Sequence, residues 1–242
     1  MNQLTATWEH LNESPLLWLT ATLLAYQLAG WLSQRLRNHP LLNPVLTAML
    51  LLAGLLWAVD VPYTTYFEGA RFIHFLLGPA TVALAIPLYL QFRRVREMAM
   101  PIVFGLLAGS LAAIVSAMLL AHWLGASPAT VISMAPKSVT TPIAMGIAER
   151  LGGIPSLTAV VVILTGIFGA VIGPPLFRQC RVRDQAIQGF SMGLAAHGVG
   201  TARAFTCSEQ AGAFSALAMG LNGLLTAVLV PVLLPLFGIW LN

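Results

Sequence analysis

Residues 129–147 make an apolar stretch of membrane-spanning length, yet at its centre stand Pro136-Lys137-Ser138-Val139-Thr140-Thr141-Pro142. Proline lacks a backbone N–H and clashes with the preceding turn, so two of them with five residues between stop a helix from passing straight through. Lys137 is the only lysine of the chain. A charge at bilayer depth costs about 3 kcal/mol on insertion scales, and such a residue marks a functional site by default. The stretch therefore predicts a broken or re-entrant helix with a polar site at the break.

The surroundings fit a bilayer. The 242 residues are 58% hydrophobic and only 8% charged, with mean hydropathy +0.84, whereas a soluble domain is roughly 25% charged. An all-α polytopic membrane protein follows, with one transmembrane domain over 1–242. The net charge of +4 does not point to nucleic acid, because most of the eleven arginines lie in short loops between apolar runs, as the positive-inside bias requires. Cys180 and Cys207 form no ligand motif. No metal or cofactor is expected. Residues 1–14 lack a basic region and do not read as a cleaved signal.

About 20 apolar residues are needed per spanning helix. Candidate segments are 15–33, 41–59, 72–92, 101–124, 129–147, 153–177, 186–205 and 211–240, giving seven or eight in all. Glu68 and Arg71 fall in the expected loop before the third. Arginine clusters follow the first (Arg35, Arg37), third (Arg93, Arg94, Arg96) and sixth (Arg178, Arg181, Arg183). Three full spans between the second and third clusters would put them on opposite faces. Either the fifth segment doubles back as a hairpin, or one cluster breaks the rule; the two prolines favour the hairpin. Pro79-Ala80-Thr81-Val82 echoes Pro136-Lys137-Ser138-Val139. That suggests the inverted repeats of transporters, although chance similarity in an apolar chain explains it as readily.

Thr141 before Pro142 reads as an N-cap with proline at the first helical position. Its helix N-terminus, Lys137 and the hydroxyls of Ser138, Thr140 and Thr141 together suit a small carboxylate. The bland alternative is a bent helix whose lysine snorkels to an interface. The seventh segment carries His197-Gly198-Val199-Gly200-Thr201-Ala202-Arg203. Gly198 and Gly200 weaken a helix, Thr201 can cap a second half-helix, and Arg203 offers a fork for a carboxylate. His197 can carry a proton near neutral pH. The alternatives are a packing histidine and an arginine paired with Glu209. Asn43, between Leu42 and Pro44, caps or lines a break. Asn222 stands mid-span and could equally bridge two helices.

These motifs carry a resemblance. Residues 136–144 and 196–203, with weaker matches at 41–44 and 152–155, resemble the LrgB/CidB family of bacterial membrane proteins. The family is also similar to the membrane half of the plastid glycolate/glycerate translocator. The resemblance implies a location in the bacterial inner membrane and a small LrgA/CidA-type membrane partner. It implies two rival functions, antiholin-like control of murein hydrolases and movement of short acids.

The expected function is a secondary transporter, of the elevator type, for small monocarboxylates such as glycolate, glycerate, lactate or pyruvate. Lys137 and Arg203 would hold the carboxylate, and Ser138, Thr140, Thr141 and Thr201 the hydroxyl or keto group. A homo-oligomer in the bilayer is expected. The alternative is an antiholin-like regulator of lysis acting with the small partner. An intramembrane enzyme, with Ser138 beside Lys137 as nucleophile and base, is the least favoured reading, and the chain is not expected to be an enzyme.

Overall fold

A computed structural model describes residues 14–36 and 44–238. All regular structure among them is helical, as the apolar composition predicts. The chain divides into two compact units, Met1–Ala83 and Leu84–Asn242.

The first unit contains α1 (Pro15–Arg35), α2 (Pro44–Ala58) and α3 (Tyr63–Ala83). Trp18 is its buried anchor. It meets the ring of Tyr66 edge-on at 6.0 Å, and Thr22 Oγ1 lies 3.1 Å from the Tyr66 hydroxyl. Glu68 and Arg71 sit inside α3 rather than in a loop. Both residue types continue a helix readily. Pro79 is also inside α3, so its stretch does not share the non-helical conformation of Pro136.

The second unit runs α4 (Ala85–Leu90), α5 (Phe92–Glu97), α6 (Ala99–Trp123), α7 (Pro128–Met134), α8 (Thr141–Arg150), α9 (Pro155–Gln179), α10 (Gln185–Cys207) and α11 (Glu209–Gly238). Across the described residues, four helices are long and apolar enough to cross a membrane: α1, α6, α9 and α11. The other expected segments are short or bent, or double back.

The fifth segment is a hairpin. α7 has 7 residues and α8 has 10, or about 10 and 15 Å of helix, about a third and a half of a hydrocarbon core of about 30 Å. Near its base Ser133 accepts from Ile154 N at 2.7 Å, and its carbonyl accepts from Thr158 Oγ1 at 3.0 Å. Val131 and Ile147 pack with Met118 and Ala121 near the end of α6. The tip, 135–140, reaches the middle of the unit, where the Ser138 carbonyl meets Asn222 halfway along α11.

The seventh segment doubles back too. His197 has φ 40 and ψ −131, and the chain reverses there. A Cβ on Gly200 would strike the carbonyl of Met192, and one on Gly189 or Gly193 would strike the backbone of Ala211 or Ser215. Arm 185–196 therefore lies beside the start of α11 and runs parallel to it, and arm 198–207 returns to where it began. Glycines on the close face let the backbones touch, as small residues do in membrane helix pairs.

The two hairpins enter from opposite ends of the unit. Arg94 donates to Asp184 at 2.8 Å, which brings the second and third arginine clusters to one face. That is the outcome a hairpin in the fifth segment requires. Asp184 also caps α10 through Ala186 N and Ile187 N. Burial pushes its carboxyl up, but these N–H groups and Arg94 outweigh that and hold it below the usual carboxylate range. A depressed carboxyl contributes stability above its unfolded pKa and loses it as pH falls through the folded value. The pair thus holds throughout the neutral range.

Two outcomes check this fold. Cys207 is exposed; with Cys180→Ser in place, Cys207 and an introduced Gln185→Cys should react with an impermeant maleimide from the same face of the membrane. Gly193→Leu should cost about 3 kcal/mol or more by overpacking, read as lost thermal stability of the purified protein.

Candidate functional site

Asn222 joins the hairpin tips. It is 1% exposed. Its Nδ2 donates to the carbonyls of Ser138 and Leu194, both at 3.1 Å. Its Oδ1 accepts from Ser110 at 2.6 Å and from Thr226 at 3.3 Å. Two donors and two lone pairs are the whole capacity of an amide, and all are used. The two carbonyls need it. Ser138 lies in the non-helical tip, and Leu194 is among the last four carbonyls of its arm, which have no intrahelical N–H. The tip residues otherwise bond only locally, Lys137 N to Met134 O and Val139 N to Pro136 O, both at 3.3 Å.

The break at His197 is held from α9. The Val162 carbonyl can only accept, so His197 Nε2–H donates to it at 2.9 Å. A Cβ at Gly166 would come within 2.7 Å of the imidazole, so glycine there gives the ring access. A positive φ at a non-glycine residue costs roughly 1–3 kcal/mol and persists only when its surroundings over-determine it; this bond and the Gly200 contact do so. Thr201 Oγ1 donates to the His197 carbonyl at 2.9 Å and lies 3.0 Å from Ser215 Oγ.

The expected residues separate into three groups. Lys137 and Ser138 come to the tip, with Nζ donating to Ser138 Oγ at 3.3 Å. Lys137 makes no ion pair among the described residues. Both line a cavity of about 630 Å³ between α6, α9 and arm 185–196, which runs on to Leu176 and Phe177. Thr140 and Thr141 stand at the start of α8, but the cap is Thr140, not Thr141, and Pro142 is at the second position. No side chain caps this end. The last group stays apart from the cavity. Thr201 does not cap a half-helix; it lies inside the return arm with its hydroxyl engaged. The break is at His197 rather than at Gly198, and Gly200 permits it. Arg203 donates to Thr206 at 3.2 Å and pairs neither with Lys137 nor with Glu209. His197 holds the break and does not line the cavity. Asn43 lies outside the described residues.

Sequence reasoning undervalued Asn222 and passed over Ser110, Ser133, Thr158, Ser215 and Thr226. A signal for Asn222 existed: it is the only asparagine between positions 44 and 241. The hydroxyls gave none, since serine and threonine are common in membrane helices and satisfy themselves on their own backbone.

Chemically, the tips gather positive charge. Both return arms start there, and each N-terminus carries up to about half a unit of positive charge. Lys137 adds a full one. The arrangement suits an anion.

Comparison with known proteins adds the lineage. Residues 22–236 match the LrgB-like family. Protein YwbG of Bacillus subtilis is 42% identical over 192 residues, covering 79% of this chain and 85% of that one. Holin-like protein CidB of Staphylococcus epidermidis is 32% identical, covering 83% and 87%. Antiholin-like protein LrgB of Bacillus mycoides is 30% identical, covering 93% and 98%. No solved structure matches the chain.

Replacing Asn222 with leucine should strand the Ser138 and Leu194 carbonyls. A stranded buried group costs about 1–3 kcal/mol, while membrane hydrogen bonds average nearer 0.6; a loss of about 2 kcal/mol in unfolding by denaturant is expected, with expression retained.

Proposed function

The chain belongs to the LrgB-like family, and from that premise we propose that it is a secondary transporter of monocarboxylates, with Lys137 as the charge that holds the carboxylate. The observation that carries this is an unpaired lysine at a hairpin tip, beside an uncapped helix N-terminus and on the wall of a cavity. A lysine left without an acid at bilayer depth is costly, and a carboxylate cargo supplies the missing partner each time it binds. Two hairpins that enter from opposite ends and meet at mid-depth give a site reachable in turn from either face, the arrangement of repeat-built carriers. The positive-inside bias makes the arginine-rich face cytoplasmic, in the bacterial inner membrane. Glycolate, glycerate, lactate and pyruvate are the compounds to test first.

A second reading is favoured by the relatives, two of which are named holin-like and antiholin-like. In it the chain regulates murein hydrolase activity and lysis, in assembly with a small LrgA/CidA-type membrane protein. The relatives' names support this reading directly, and the site geometry supports the first.

Uptake of labelled pyruvate and glycolate into proteoliposomes separates them. The transporter reading expects saturable uptake that falls at least tenfold in Lys137→Met, since a charge-assisted bond is worth about 1.5–3 kcal/mol. Folded protein that moves neither acid, together with altered autolysis of cells lacking the gene, would establish the second reading instead.

A further inference from the structure

The wall of the Lys137 cavity carries a hydroxyl that the fold leaves unused. Thr165 of α9 lines it together with Lys137 and Ser138, and its Oγ1 makes no hydrogen bond among the described residues. We infer that Thr165 is the specificity-determining residue of the site: its hydroxyl takes the oxygen on carbon 2 of a 2-hydroxy or 2-oxo acid whose carboxylate rests on Lys137. The inference rests on the carboxylate reading proposed above and adds to it a residue that sequence reasoning passed over.

Its position follows from the first hairpin. Thr158, Val162 and Thr165 are spaced by four and three residues and so share one face of α9. Thr158 Oγ1 donates to the Ser133 carbonyl at 3.0 Å, and Val162 packs with Val139 of the tip. Thr165 is the next position on that face, one turn beyond the tip contact. Leu164 and Phe168 flank it on the outward side and are more exposed. Lipid can cover those two, while the threonine is half-buried against the cavity.

A serine or threonine within a helix can satisfy itself on the carbonyl four residues back. Thr22, Ser133, Thr158 and Thr201 all do so, at 2.6 to 3.1 Å. Thr165 does not use the Val161 carbonyl. The hydroxyls expected from sequence to hold the cargo are engaged or elsewhere. Ser138 accepts from Lys137, Thr201 bonds to the His197 carbonyl and Ser215, and neither Thr140 nor Thr141 lines the cavity. A hydroxyl has one donor and two acceptor positions, so Thr165 can accept from a 2-hydroxyl or donate to a 2-oxo group. Ser191 also lines the cavity without a bond, but at another depth. Arm 185–196 runs antiparallel to α9, with Ala196 against Gly169 and Met192 against Gly173. Ser191 therefore lies near Gly173, about 12 Å along the helix from Thr165. A three-carbon acid on Thr165 cannot reach it.

The test is binding of lactate, pyruvate and propionate, which share one carbon skeleton, to the full chain in lipid nanodiscs, with empty nanodiscs subtracted. Lactate and pyruvate should bind about three- to tenfold tighter than propionate, the effect of one net hydrogen bond. A site built to bond an oxygen rejects the analogue that lacks it. Thr165→Val keeps the shape and removes the hydroxyl; it should bring the three acids to equal affinity, with propionate binding and thermal stability retained. Thr165→Ser should keep the preference, and Ser191→Ala should leave it intact. Lys137→Met should remove binding of all three. Equal binding of the three acids by the unaltered protein, still dependent on Lys137, overturns the Thr165 inference and leaves the carboxylate site standing. A preference that survives Thr165→Val, or that disappears in Ser191→Ala, overturns it as well. Folded protein that binds none of the acids overturns the transporter reading, and this inference with it.

Discussion

Everything at the centre of the second unit depends on one saturated amide. Asn222 holds the tip of one hairpin by the Ser138 carbonyl and the end of the opposing arm by the Leu194 carbonyl, while Ser110 and Thr226 fill its oxygen. Backbone groups freed by a helix break cannot turn to water inside a bilayer, so each needs a partner from the protein. A single side chain with two donors and two acceptor sites serves two breaks at once. The same amide thus ties the two breaks together. The glycines then decide how closely the elements approach: Gly193 lets α11 touch arm 185–196, and Gly166 lets His197 reach α9.

The same arrangement explains why Lys137 stands where it does. Its tip is short and tightly turned, and among the described residues its ammonium bonds only to Ser138. The positive ends of two return arms lie at the same depth. The two proposed readings differ in what would neutralise this charge, a passing carboxylate in the first and a fixed partner in the second.

Much of this was legible in the sequence. Lys137 between Pro136 and Pro142, and three arginine clusters that could not share a face without a doubled-back segment, point to the first hairpin before any coordinates. The helical class follows from composition. The second hairpin was only half legible. Gly198 and Gly200 flagged a weak point, but the reversal falls on His197, whose positive φ no residue preference suggests. What decides it is tertiary: the Val162 carbonyl and the gap left by Gly166. Arg203 and Thr201 were drawn into the site by their chemistry and by nearness in sequence. Local hydrogen bonds instead take both, Arg203 to Thr206 and Thr201 to the preceding turn and Ser215. Long-range partners such as Asn222 and Ser110, 112 positions apart, leave no periodic trace.

The most direct test of the account is the face from which the bases of the two hairpins can be reached. The first hairpin is rooted away from the arginine-rich face and the second at it. Labelling of single cysteines placed at Gly125, Gly153 and Gln185, with Cys180→Ser and Cys207→Ser in place, by an impermeant thiol reagent in right-side-out and inverted vesicles, should show the first two reacting from one face and the third from the other. Reaction of all three from one face would contradict the opposed-hairpin arrangement and, with it, the site built on it.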